Sequence, residues 1–139
     1  MISILLDVGT ILSFLAIFIG FLTMIFFGIN RKKYKRIVSL YANAGLYMND
    51  FNQLAVYFGY FGSYFPTDFF NKLLKNKKIK TGKDTFVPSE AYTFLQSLPR
   101  ELTGWITTYH RMHIIWSTLF LIGCTMLGIV KVFVGYPID

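Results

Sequence analysis

The sequence is poor in cysteine and in charge. Cys124 is the one cysteine among 139 residues, which excludes an intramolecular disulfide and a zinc site built from cysteines alone. Charged residues make up 15% of the chain, against about 25% in an ordinary soluble domain, and hydrophobic residues make up 54%. This balance is not that of a simple water-soluble globule. Because 14 Lys and Arg outnumber 7 Asp and Glu, the net charge of +7 favours an anionic membrane leaflet as a partner.

Sequence signatures of catalysis are also missing. The chain has no glycine-rich phosphate loop, dinucleotide-binding glycine pattern, His-Glu-x-x-His, Gly-x-Ser-x-Gly or Cys-x-x-Cys. We therefore expect a protein that is not an enzyme and that carries no cofactor. Cys124 lies in an apolar run, where a free cysteine behaves as a small hydrophobic residue.

Two long uncharged runs are present, one near each end of the chain. Residues 8–29 are 22 uncharged residues rich in Ile, Leu and Phe, and as a helix they reach about 33 Å, enough to cross a bilayer. Residues 114–130 are 17 uncharged residues, and the run extends to 134 if Lys131 turns its ammonium toward the interface. The first run lacks the positive start and cleavage site of a signal peptide, so we expect it to remain as an anchor.

The positive charges lie between these runs. Thirteen of the 14 basic residues fall within 31–113. Those that flank the runs are Arg31, Lys32, Lys33, Lys35, Arg36 and Arg111. Flanking Lys and Arg are retained in the cytoplasm and attract anionic headgroups, so both termini are predicted to be extracytoplasmic. Nucleic acid is not an expected partner, because no base-reading motif accompanies the charge.

These patterns predict an all-α membrane protein. A transmembrane helix lies at each end of the chain, and a helical, basic cytoplasmic section lies between them. The predicted divisions are residues 1–30 with the first transmembrane helix, residues 31–112 as the cytoplasmic region, and residues 113–139 with the second transmembrane helix and a short tail.

The middle section is punctuated by prolines and charge. We expect residues 31–48 to extend the first helix, Pro66 to start a short amphipathic helix, and residues 79–87 to form an exposed loop. Pro88 starts another helix, and Pro99 starts a single long helix that continues to Val134.

Residues 54–65 form an apolar and aromatic stretch that is too short to span a bilayer. It must be covered, because such a surface is unfavourable in water. Three coverings are open: a small helical core, the headgroup level of the membrane, or a partner subunit.

Two histidines stand at the start of the second run. His110 and His113 are three residues apart and so share a side of a helix, where they could hold a metal or one axial position of a haem, given further ligands such as Glu101. We favour a simpler interpretation, in which these imidazoles and Arg111 meet lipid phosphates. The aromatic residues expected to anchor this interface are Trp105, Tyr109 and Trp116.

Small residues form a stripe on each predicted span. The stripe on the first is Gly9, Ser13, Ala16 and Gly20, and a looser one on the second is Ser117, Cys124 and Gly128. Small residues permit close helix approach, so we expect these stripes to meet, within one chain or between copies. Neither span has an ionisable residue at mid-depth, and two helices cannot enclose a polar path.

The layout resembles small inner-membrane proteins of the universal stress protein B type. The shared features are the Met1-Ile2-Ser3 start, a span at each end, Arg and Lys after the first span, and Tyr109 and Arg111 on the helix that enters the second. The middle section here is longer and richer in Lys and Phe. The resemblance implies a bacterial inner membrane and a link to stress, and it transfers no site.

Three functional hypotheses follow. The first is a non-enzymatic membrane protein with an interaction or regulatory role, whose partner is a lipid, another protein or a second copy. The second is an accessory subunit of a larger, respiratory-type membrane complex. The third is a membrane-active effector that oligomerises.

Overall fold

A computed structural model describes residues 2–134, and every regular element within them is a helix. The elements are α1 (Ile2–Asn43), α2 (Asp50–Ala55), a 3₁₀ turn (Val56–Phe58), α3 (Tyr60–Leu74), α4 (Ser89–Ser97), α5 (Arg100–Thr103) and α6 (Trp105–Val134). The predicted all-helical class is confirmed. Met1 and the predicted tail, residues 135–139, lie outside the described residues.

Two helices are long and apolar enough to cross a membrane. They are Ile2–Asn43, with a mean hydropathy of 2.5 in its most apolar window, and Arg100–Val132, with 1.9. Only 17% and 11% of these windows are buried inside the protein, whereas the core helix of a soluble protein is mostly buried. The prediction of two helices suited to spanning a bilayer is confirmed.

The contacts divide the described chain into two compact units. One unit, here called the helix pair, contains residues 2–25 and 111–134, and the other, the middle unit, is Phe26–His110. The middle unit thus begins within the first apolar run, because Phe27 is 4% exposed and belongs to its core. The predicted divisions at residues 31 and 113 differ slightly from these limits.

The helix pair is antiparallel, with small residues at its closest approach. A Cβ added at Gly123 would lie 2.5 Å from Ser13 Oγ, and one added at Gly9 would lie 3.2 Å from Leu127. Gly20 faces the indole ring of Trp116. The Ser13 hydroxyl donates to the Gly9 carbonyl at 2.9 Å, so its polar group is satisfied within its own helix.

The core of the middle unit is aromatic. The second half of α1 packs here against α3, α4 and the start of α6, and the largest fully buried side chains include Tyr41, Phe70, Leu73 and Tyr109. The Tyr41 hydroxyl donates to the carbonyl of Tyr47 at 2.7 Å. Buried rings with a satisfied polar atom contribute a large apolar area without the cost of an unpaired hydroxyl.

The helix predicted to start at Pro66 begins earlier, at Tyr60. Gly59 precedes it with φ +58°, a left-handed conformation that favours glycine. Pro66 therefore lies inside α3 and removes one backbone hydrogen bond. The helix forms because Gly62, Ser63, Pro66 and Thr67 are all buried along one side of it, and this packing outweighs the missing bond.

The first helix, which was predicted to extend through residues 31–48, ends at Asn43. The two remaining expectations concern the end of the middle unit. Residues 79–87 form the predicted loop, with an isolated bridge between Lys80 and Phe86. The predicted helix from Pro99 is divided into α5 and α6 at Gly104, although Gly104 keeps helical angles (φ −61°, ψ −26°). Its N–H bonds to the carbonyl of Arg100 at 2.7 Å, so the chain keeps a helical path.

Candidate functional site

The run of cations after the first apolar run is divided between two sides of α1. Arg31 and Lys35 line one groove, and Lys33 and Arg36 line another. An α-helix turns 100° per residue, so positions four apart lie nearly above one another, whereas positions 31 and 33 point in opposite directions. The sequence shows a single cluster of five cations, and the helical turn places four of them as two pairs in different grooves.

The groove beside Arg31 and Lys35 has a volume of about 400 Å³. It lies between α1 and the segment that carries the 3₁₀ turn. Its apolar lining comes from Phe27, Val38, Val56 and Tyr57, together with the small residues Ser39, Ala42 and Gly59. The groove therefore joins two exposed cations to an apolar wall that begins inside the first apolar run.

The groove of Lys33 and Arg36 differs in charge. Its other walls are Leu40, Leu98, Pro99, Glu101 and Leu102. The Glu101 carboxylate supplies a negative charge that the first groove lacks. An anion is therefore better accommodated beside Arg31 and Lys35.

An exposed apolar surface adjoins the first groove. We call it the aromatic face, and it consists of Phe51, Leu54, Tyr57, Phe58, Phe61 and Phe65. Tyr57 and Phe61 are each 86% exposed. Tyr57 also lines the groove, so the groove and the aromatic face are continuous.

The aromatic stretch 54–65 is thus covered on one side only. Ala55, Gly62 and Ser63 are buried, and Tyr60 packs against the core of the middle unit. The opposite side of the same stretch forms most of the aromatic face. A helical core accounts for half of this stretch, and the other half is left for a membrane or a partner.

His110 lies half-buried on the middle unit. Its ring stacks on Tyr64 at 5.7 Å with an angle of 7°, and its Nδ1 is 3.4 Å from the Asp68 carboxylate. Burial lowers the pKa of His110, an effect that Asp68 opposes and Lys75, Lys72 and Lys77 reinforce. The imidazole is therefore neutral at pH 7 and packs as a flat ring.

His113 has a different environment. It is 9% exposed, and its Nδ1 accepts a hydrogen bond from the Trp116 indole at 3.2 Å. Among residues 2–134, no group of three or more His, Cys, Asp or Glu is placed to hold a metal ion. The two imidazoles thus have separate protein partners, His110 in the middle unit and His113 in the helix pair.

Two of the predicted interface anchors lie in the protein interior. Tyr109 is fully buried and Trp105 is 7% exposed, both in the core of the middle unit. The Tyr109 hydroxyl donates at 2.6 Å to Ser63, which in turn donates to the Tyr60 carbonyl. Burial raises the pKa of the Tyr109 phenol, which therefore stays protonated. Trp116 is partly exposed, whereas Arg111 is exposed as a headgroup contact requires.

The small residues of the first stripe lie where the two helices approach. Gly9 and Ala16 are buried, and Ser13 and Gly20 face the second helix. Within one chain, Cys124 and Gly128 of the second stripe do not lie at the contact between the two helices. Cys124 is exposed, and a Cβ at Gly128 would meet no atom within 4 Å. The hydroxyl of Ser117 donates to the carbonyl of His113 in its own helix.

Gly123 takes the place expected for Cys124, and sequence reasoning missed it. Positions 116, 123, 127 and 130 are spaced by 7, 4 and 3 residues, which places them on one side of a helix. That side contains the residues that contact α1 or are buried. This spacing, counted from Gly123 instead of from Cys124, identifies the side of the helix that contacts α1.

Comparison with known proteins finds no match: no protein-family model, curated protein or solved structure is similar to the chain at a significant level.

Proposed function

We propose that the chain is a non-enzymatic integral membrane protein whose middle unit is an interaction module at the cytoplasmic surface of a bacterial inner membrane. The observation that carries this proposal is the aromatic face beside the cations that follow the first apolar run. Its role is interaction or regulation, with the stress setting taken from the resemblance in layout. Its first partner is the anionic bilayer surface.

The exposure of apolar side chains on the two long helices supports residence in a lipid environment. Large apolar side chains of the helix pair point outward, among them Phe14, Phe18 and Leu121. In water this exposure is unfavourable, whereas in hydrocarbon it has no cost. Small residues at the contact are what helix association in lipid requires.

The point on α1 against which α3 begins supports contact of the aromatic face with headgroups. The Phe27 ring, from the first apolar run, lies 5.9 Å from the ring of Tyr60 at the start of α3. The start of α3 is therefore level with the end of that run. Aromatic side chains are favoured at this depth, and Arg31 follows Phe27 by about one turn, close to the lipid phosphates.

The orientation is tested by labelling single cysteines. In a Cys124→Ser background, Lys80→Cys and Ser3→Cys are treated with a membrane-impermeant maleimide in intact cells. We expect labelling at position 3 and protection at position 80 until the membrane is opened. Labelling of position 80 from outside would overturn the cytoplasmic placement.

The depth of the aromatic face is tested with spin labels in reconstituted vesicles. In the same background, Phe61→Cys and the exposed loop control Lys78→Cys carry a nitroxide. We expect position 61 to be accessible to oxygen and shielded from a polar nickel complex, with the reverse at position 78. If position 61 responds as position 78 does, the aromatic face does not lie at the membrane.

A further inference from the structure

We propose that the groove between α1 and residues 56–59 binds one anionic phospholipid, with its phosphate at Arg31 and Lys35 and its acyl chains leaving past Phe27 toward the first apolar run. This inference rests on the proposed membrane function and adds to it a defined binding site and ligand class.

Charge and position together identify the occupant. Arg31 and Lys35 are exposed, lie one turn apart on the same side of α1, and share the groove with no acidic residue. Arg binds phosphate oxygens with its planar guanidinium, and Lys adds a point charge. The spacing of about 6 Å along the helix axis allows both to contact one headgroup.

The apolar lining favours a lipid over a free phosphate. Phe27 comes from the first apolar run and lines the groove one turn before Arg31, and Val38, Val56 and Tyr57 supply further apolar lining. A small anion would use only the cationic end of the groove. A phospholipid would cover the apolar wall as well, and Tyr57 would close the groove beside the headgroup.

The same helix provides a matched control. Lys33 and Arg36 carry the same charges, lie within the same run, and line the groove that also contains Glu101. Replacing either pair with glutamine removes two positive charges from the first turns after the apolar run. Only the replacement of Arg31 and Lys35 removes charges from the proposed site.

The test is native mass spectrometry of the full chain in mild detergent, titrated with phosphatidylglycerol, with phosphatidylcholine and with inorganic phosphate. We expect one saturable phosphatidylglycerol adduct and much weaker binding of phosphatidylcholine. Arg31→Gln with Lys35→Gln should weaken the adduct by about 25-fold, on the order of fivefold for each cation near a membrane surface, whereas Lys33→Gln with Arg36→Gln should change it less than threefold.

A third variant separates the apolar wall from the charge. Ser39→Phe places a ring in the groove at an exposed position and keeps both cations, and it should also weaken the adduct at least tenfold. Near-ultraviolet circular dichroism establishes that each variant is folded. Equal losses in the two charge variants, equal binding of phosphatidylcholine, or competition by inorganic phosphate with no effect of Ser39→Phe would each overturn the proposal.

These outcomes are independent of the tests of the proposed function. Lipid binding measured in detergent does not depend on the orientation of the chain in a membrane. A phosphatidylglycerol adduct with the expected variant pattern therefore supports the groove even if position 80 is labelled from outside. Loss of the adduct with normal labelling would refute the groove and leave the orientation in place.

Discussion

In the helix pair the fully buried side chains are small, whereas the largest fully buried side chains of the middle unit are aromatic. Ala16 and Thr23 are fully buried between residues 2 and 25, while Phe14 is 70% exposed. In the middle unit Phe70 and Tyr109 are fully buried. The middle unit thus encloses large rings that the described part of the helix pair leaves exposed, although both regions are helical and rich in aromatic side chains.

The proposed membrane setting accounts for this difference. Water drives large apolar side chains inward, so the middle unit gathers its rings in a core. Hydrocarbon exerts no such force, and helices in it associate by close backbone approach, which only small residues permit. The aromatic face is the exception within the middle unit, and this exposure is the reason that the proposed function includes contact with the membrane surface.

The largest expected effect comes from truncating a buried ring. Phe70→Ala should lower the free energy of unfolding of the middle unit by about 3–5 kcal/mol, because it removes a fully buried ring from a packed core. The matched change Phe14→Ala, at an outward position of the helix pair, should cost much less. Both are measured by unfolding in mixed micelles. Equal losses would remove the contrast between the regions.

The next effect concerns the contact within the helix pair. Gly123→Leu should destabilise that contact by about 1–3 kcal/mol, because even its Cβ would lie 2.5 Å from Ser13 Oγ and 3.0 Å from the Gly9 carbonyl. Gly128→Leu is the control, since a Cβ there meets nothing within 4 Å. Cysteine crosslinking between positions 9 and 126, whose Cβ atoms would lie 3.2 Å apart, reports the contact. A greater loss with the Gly128 variant would favour contact between copies through the stripe that contains Cys124.

A smaller effect is expected from the buried hydroxyl of the middle unit. Tyr109→Phe keeps the ring but removes the 2.6 Å hydrogen bond to Ser63, and should cost about 0.5–1.5 kcal/mol. Tyr57→Phe, at an exposed position, should change stability by less than about 0.5 kcal/mol. Thermal unfolding followed by Trp fluorescence compares the two variants. If they behave alike, the hydroxyl of Tyr109 does not stabilise the core.

The smallest effect is a dependence on pH. Burial lowers the pKa of His110 in the folded chain, so the unfolded chain binds more protons. Stability should therefore be full above about pH 6.5, the ordinary histidine pKa, and should fall as the pH drops below it. His110→Gln should flatten this part of the profile. The His113→Gln variant is the comparison in the other region, and a stronger effect there would place the titrating group in the helix pair.

Much of the fold follows from local pattern. Long uncharged runs predicted the two membrane-suited helices, and proline and charge placed the loop at 79–87 and the start of α4 at Ser89. The start of α3 was mispredicted at Pro66, because local rules treat proline as a boundary while burial of one side of the helix overrides it. Trp105 and Tyr109 were assigned to an interface for a similar reason, since aromatic composition alone does not distinguish a membrane surface from a protein core.

The candidate groove was less predictable than the fold. The cations of residues 31–36 are evident in the sequence, but their division into two pairs depends on the helical turn and on the elements that pack beside α1. Val56, Tyr57 and Gly59 join Arg31 because the chain between α2 and α3 returns to α1, a long-range contact that no local spacing encodes.

Composition and charge pattern thus determined that this chain is helical, basic between its apolar runs, and provided with two segments suited to a bilayer. The tertiary structure decided which aromatic rings are buried, which glycine of the second helix lies at the helix contact, and which cations line a groove without an acidic residue. The physical reason is that hydropathy and charge act over neighbouring residues, whereas burial and site geometry arise only when distant segments pack together.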